Sequence, residues 1–143
     1  MASIRAPLRF KRTILFGDCD PAGIVYTPRF TDYALEATHQ ALNNVFGEPA
    51  IRAMHALNIL TPVRATNIEY LSPITWDDEI ELLVCVNHVG SRSYTFSVAA
   101  TKSDKTVFDA TITFVCVCAK QKQTIPIPQQ VRDKLNLLTI KGS

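Results

Sequence analysis

The sequence predicts an α+β fold, one long helix lying against an antiparallel sheet, and three observations carry that reading. A single stretch has helical periodicity: Phe30, Tyr33, Ala34, Ala37, Ala41 and Val45 recur at intervals of three and four. From about residue 60 onward the apolar period is two and stays two. The last three long strands are separated by hairpin-sized breaks, which makes them a meander.

Taken in order, Leu8, Phe10, Arg12, Ile14 and Phe16 alternate with Arg9, Lys11, Thr13 and Leu15, the pattern of a half-buried first strand. A loop follows by composition, with Gly17, Pro21, Gly23 and two aspartates. Thr27-Pro28 predicts a helix start, Thr as N-cap and Pro at the first helical position. Asp32 and Glu36 suit the positive end of its dipole. Gly47 supplies a C-terminal stop and Pro49 blocks continuation, giving about five turns. After a shorter segment through Met54, residues 60–72 read as a strand interrupted early by Pro62. Three longer strands follow, centred on Ile80 to Val86, Tyr94 to Ala100 and Phe108 to Cys116. Breaks at Trp76-Asp77-Asp78, Gly90-Ser91 and Ser103-Asp104-Lys105 set them off. The Pro-punctuated tail ends in a short helical turn. One helix covers only one face of such a sheet. Leu83 and Cys85, with Val115 and Val117, make the other face apolar as well, so a second subunit is expected to bury part of it.

The chain has 143 residues, read as one domain over 1–143, with 47% apolar and 20% charged residues. Fifteen Lys plus Arg against 13 Asp plus Glu leave a net charge of +2 and no basic stripe, so no nucleic-acid partner is expected. No apolar run approaches the roughly 20 residues of a membrane span, and no membrane partner is expected. The N-terminal MASIRAPLRFKRTILF lacks the uninterrupted apolar stretch of a signal peptide. Cys19, Cys85, Cys116 and Cys118 have neither CxxC spacing nor paired histidines, and read as small apolar side chains in a reduced, cytoplasmic chain.

The chemistry-bearing stretch is Phe16-Gly17-Asp18-Cys19-Asp20-Pro21-Ala22-Gly23-Ile24-Val25-Tyr26. It places two carboxylates beside glycines, directly before a helix start. Unpaired N–H groups at a helix N-terminus hold a carbonyl oxygen as it becomes an oxyanion. A nearby carboxylate attacks the carbonyl carbon or takes a proton from water. Such aspartates also cap backbone amides in ordinary turns, so both readings stand on these residues alone.

The run FGDCDPAGIVY, the helix after it and the long antiparallel strands closely resemble the hotdog-fold thioesterases of the 4-hydroxybenzoyl-CoA thioesterase family, from about Leu8 to about Arg132. The resemblance implies a sheet wrapped around the central helix, and subunits joined edge to edge as a homodimer or a homotetramer of two dimers. It implies hydrolysis of an acyl-CoA to free acid and coenzyme A, with no cofactor and no metal. The motif's second aspartate matches Asp20, acting as nucleophile or as general base. The oxyanion donor matches the backbone N–H of Thr27. Gly23 and Tyr26 of the motif, Thr61 of a Thr-Pro pair and Arg92 in a strand turn match substrate-binding positions, Arg92 toward the CoA phosphates. Asp18 is expected to shape the loop. Leu35 stands where the family's prototype has the carboxylate that recognises a phenol, and Glu36 is about 100° off that face. A hydroxybenzoyl group is therefore not favoured over other aryl or short aliphatic acyl groups. His39 follows Glu36 by three residues, a weak metal pattern read here as structural. Two competing readings are a non-catalytic acyl-binding module and an acyl-CoA hydratase. The latter is disfavoured because the loop holds no histidine.

Overall fold

The computed structural model describes residues 7–140. Part of the N-terminal stretch read as lacking a leader, residues 1–6, lies outside them. Five antiparallel strands form one sheet in the order β1-β4-β5-β6-β3: β1 Leu8–Thr13, β3 Val63–Tyr70, β4 Glu79–Val89, β5 Ser93–Lys102 and β6 Lys105–Val115. The meander β4-β5-β6 is the predicted one. Its registers run Val84↔Val98 and Val98↔Ala110 through the sheet centre.

Helix α1, Arg29–Phe46, packs on β4 and β5. Ala34, Ala37 and Ala41 are fully buried, and these small side chains let the helix backbone approach the sheet. Facing them, Ile80, Leu82, Val84, Phe96, Val98 and Ile112 are buried in alternation with half-exposed neighbours. Phe30 joins helix to sheet, 5.5 Å from the Phe108 ring and 5.5 Å from Tyr70. The far face carries Leu83, Cys85, Ala99 and Val115, all half-buried in the single chain.

Helix α2, Ala50–Ala56, and a two-stranded ribbon of β2, Ile59–Leu60, with β7, Val117–Cys118, close one end of the core. The tail helix α3, Gln129–Asn136, buries Val131 and Leu135 there. The break between β2 and β3 falls at Thr61-Pro62, as the proline requires.

Two predicted boundaries are corrected. The first strand ends at Thr13 rather than Phe16: the Ile14 N–H still meets the Asp78 carbonyl in register, but the return bond to the Ile14 carbonyl comes from the Asp77 N–H, one residue out, and the ladder stops there. Phe16 sits in a 3₁₀ turn and is 75% exposed. The helix begins at Arg29, not at a Thr27 cap. Tyr26 and Thr27 instead accept the Arg29 and Phe30 N–H groups through their carbonyls, making a lead-in turn, and no side chain caps the helix. Its end is where the sequence puts it: Gly47 has φ +71° and donates to the Asn43 carbonyl.

β3 lies at the sheet's edge with only Ile68 half-buried, and Val63, Tyr70 and the following Leu71 are exposed.

Candidate active site

The aspartate loop folds back on itself as a small hairpin. Cys19 and Val25 form a bridge, the Asp20 N–H donates to the Ile24 carbonyl, and the Tyr26 N–H to the Asp18 carbonyl, both at 2.9 Å. At the tip the Gly23 N–H closes a β-turn on the Asp20 carbonyl, with Pro21 at the position proline pre-sets. The Asp20 carboxylate takes the Ala22 N–H on Oδ1 at 2.9 Å. Its Oδ2 has no partner among the described residues, and the residue is half-exposed. Gly23 has φ +84°, which excludes most side chains by conformation rather than space: a Cβ would meet Trp76 at an ordinary 3.7 Å. Trp76 also packs edge-on against Phe16, and the Thr75 hydroxyl donates to the Gly23 carbonyl at 2.6 Å.

Asp18 is buried and works differently. Its Oδ2 accepts the Tyr33 hydroxyl at 2.9 Å and the Leu15 N–H at 3.3 Å, with Arg12 Nη1 at 3.5 Å. Arg29 Nε lies 3.9 Å from Oδ1. The Arg12 guanidinium sits over the Tyr33 ring, 4.6 Å from its centroid, and forks onto Glu36 at 2.7 and 3.2 Å. Burial, then the bond to Asp18, pushes the Tyr33 phenol well above its ordinary range, so Tyr33 stays a donor. The cluster ties strand β1, the loop and helix α1 together and gives Asp18 the loop-shaping position.

Thr27 is exposed, and its N–H has no acceptor among the described residues. Pro28 has none to offer, so the helix entry presents one free donor beside the loop. The Tyr26 side chain is exposed next to it.

Asp20, Gly23, Tyr26 and Thr27 are thus brought together. Thr61 and Arg92 are not with them. Thr61 lines an apolar cavity of about 530 Å³ at the other end of the sheet, with Ile51, Met54, Leu60 and Pro62. Arg92, in the β4–β5 turn, donates to the Thr124 carbonyl at 3.1 Å and receives the Cys116 N–H on its own carbonyl. The Val115 N–H, one residue earlier, goes to Pro62, so Thr61 and Arg92 share that end. Strand β4 alone separates the two groups by on the order of 30 Å.

Arg12, Tyr33 and Trp76 were not singled out for the site by sequence. An arginine at an inward position of an apolar alternation was the available signal for Arg12. Glu36 is occupied by Arg12, and His39 is exposed. Among the described residues no three His, Cys, Asp or Glu side chains gather as a metal would require.

The family model of the thioesterase-like superfamily matches residues 14–135. The chain belongs to that superfamily. Among curated proteins, the 1,4-dihydroxy-2-naphthoyl-CoA hydrolase of Synechococcus elongatus is 24% identical over 92% of this chain and 97% of its own length. That of Acaryochloris marina is 25% identical over 85% and 90%. A solved thioesterase-superfamily structure from Jannaschia sp. superposes with a TM-score of 0.88 at 25% identity, covering 95% of each chain. The gentisyl-coenzyme A thioesterase BH1999 shares the fold, with a TM-score of 0.80 at 21% identity over 90% of this chain and 99% of its own. These superfamily likenesses agree with the hotdog arrangement. No helix among the described residues is long and apolar enough to cross a membrane.

Proposed function

We propose that the chain hydrolyses an acyl-CoA thioester as a homodimer, with Asp20 as the catalytic carboxylate and the Thr27 N–H as the oxyanion donor. The reaction class comes with the superfamily and with CoA-thioester hydrolases similar to the chain. The observation that carries the residue assignment is the pairing of a carboxylate oxygen left free, Asp20 Oδ2, with an unpaired N–H at the helix entry seven residues later. The thioester carbonyl oxygen, gaining charge, accepts the Thr27 N–H. Asp20 attacks the carbonyl carbon to form an anhydride that water then cleaves, or removes a proton from the water that attacks it. Either route breaks the C–S bond and releases the coenzyme A thiol and the free acid. The Ala22 N–H holds Oδ1 and so aims the other oxygen.

The dimer reading rests on β3. Its free edge and exposed Val63, Tyr70 and Leu71 are what a strand awaiting a partner presents. Antiparallel pairing of two β3 strands across a two-fold axis sets the start of one against the end of the other. That brings the Thr61 cavity and Arg92 of one copy toward the Asp20 loop of the other, joining the groups that one chain keeps apart. The half-buried outer face supports association of two such dimers. All four cysteines are free, which supports a reduced, cytoplasmic setting.

The test is thiol release from a panel of aryl and aliphatic acyl-CoAs by the wild type and Asp20→Asn. Asparagine still accepts the Ala22 N–H, so the loop should persist. Loss of about 10²–10⁴-fold with an unchanged melting curve is expected. A near wild-type rate would remove Asp20 from the chemistry and favour a loop that is merely structural.

A further inference from the structure

The cavity at the Thr61 end, about 530 Å³, is the size of a small-molecule site. Its wall is hydrocarbon: Ile51 and Met54 from α2, Ile59 and Leu60 from β2, then Pro62 and Val117. Two polar side chains reach it. Lys122 has its ammonium bound to the Ala119 carbonyl. Thr61 is the polar neighbour of the Tyr94 phenol, whose buried hydroxyl meets no hydrogen-bond partner of good geometry among the described residues. No carboxylate, amide side chain or aromatic ring lines the space among the described residues.

Such a wall discriminates between acyl groups. Most of that wall offers no hydrogen-bond partner, so a ring hydroxyl lying on it gives up water without compensation, which is unfavourable. A methylene loses nothing polar and gains on every step of burial. A methylene also fills about the volume of a liquid water, roughly 30 Å³, so incomplete packing of the cavity holds on the order of ten of them. The rim is open on the side of Ile51 and Pro62, both exposed, next to the β3 edge that the dimer would cover.

We propose that this cavity receives an unsubstituted aliphatic acyl chain of on the order of ten carbons, making the preferred substrate a medium-chain acyl-CoA rather than a hydroxylated aryl-CoA. The inference rests on the dimeric thioesterase reading above, which sets this cavity opposite the Asp20 loop.

The experiment measures kcat/KM for straight-chain thioesters from acetyl- to palmitoyl-CoA, with benzoyl-CoA and 1,4-dihydroxy-2-naphthoyl-CoA alongside, by thiol release from the full chain. The expected result is a climb of about two- to fourfold per methylene from butyryl-CoA to a maximum near decanoyl-CoA, above both aryl thioesters. Leu60→Phe and Ile51→Trp fill the cavity and should lower the decanoyl-to-butyryl ratio by about tenfold or more. Ile51 is 44% exposed, so its variant folds even where the Leu60 variant does not. A flat length profile, faster turnover of either aryl thioester, or an unchanged ratio in Ile51→Trp overturns the inference while the thioesterase reading stands. Silence across the whole panel overturns both.

Discussion

Two aspartates stand two residues apart in one loop, and their surroundings give them different work. Asp20 keeps one carboxylate oxygen open, whereas Asp18 is 6% exposed and surrounded by donors from β1, the loop and α1. That contrast makes Asp18 a positioning residue whose effects should travel through the loop. Tyr33→Phe removes the shortest bond to Asp18 and leaves a buried carboxylate short of a donor, which costs about 1–3 kcal/mol of stability. Steady-state kinetics should show kcat reduced by about tenfold and KM changed by less than about twofold, because the displaced group is the Asp20 loop rather than the Thr61 cavity. Equal loss in KM would argue against this division. Gly23 is a second residue whose role is conformational. At φ +84° an alanine is strained by about 1–2 kcal/mol, so Gly23→Ala should lower the chemical denaturation midpoint although Trp76 leaves room for the methyl.

Between elements, the loop is held by the turn that precedes β4, and this turn carries a pH signature. Burial opposes charge on Asp78, yet the Thr75 N–H at 2.9 Å and the Lys102 ammonium at 2.9 Å outweigh it and hold the carboxyl below its usual range. Folding therefore favours the ionised form. Its contribution is complete above the ordinary carboxylate pKa of about 3.9 and is lost as pH falls through the lower folded value. Thermal melts of Asp78→Asn should lie below wild type at pH 7, and the gap should close toward pH 2. A gap that persists in acid would mean the turn is held by its backbone alone. The elements themselves were legible wherever period and punctuation agreed, as in the β4-β5-β6 meander and the Gly47 helix stop. They slipped where a tertiary bond outranked local propensity: the Ile14 and Asp77 backbone groups pair across β1 and the turn, so the apolar alternation runs past the strand's true end. The loop itself, with its Asp, Gly and Pro residues before the helix, was legible from composition. The Arg12–Asp18–Tyr33 cluster was not, since it joins positions 15 residues apart that sequence spacing alone does not pair.

For the whole molecule, the distance between Asp20 and the Thr61–Arg92 end is the feature that sequence spacing could least reveal, because strands of 10 and 11 residues set it. A site divided this way predicts behaviour that no self-contained site shows. Asp20→Asn should disable the loop of every subunit that carries it, and Leu60→Trp should block the cavity of every subunit that carries it. Each homodimer is then nearly inactive on a medium-chain thioester. In a mixed dimer formed after dissociation and reassembly, one of the two sites pairs the wild-type loop of one copy with the wild-type cavity of the other. Random reassortment of equal amounts should restore roughly a quarter of wild-type activity. Thr66→Lys, near the middle of β3, sets like charges across the two-fold axis and should yield monomers in sedimentation and abolish the restoration. Failure of the mixed variants to recover activity, while native mass measurements show that they have exchanged subunits, would place loop and cavity in separate sites.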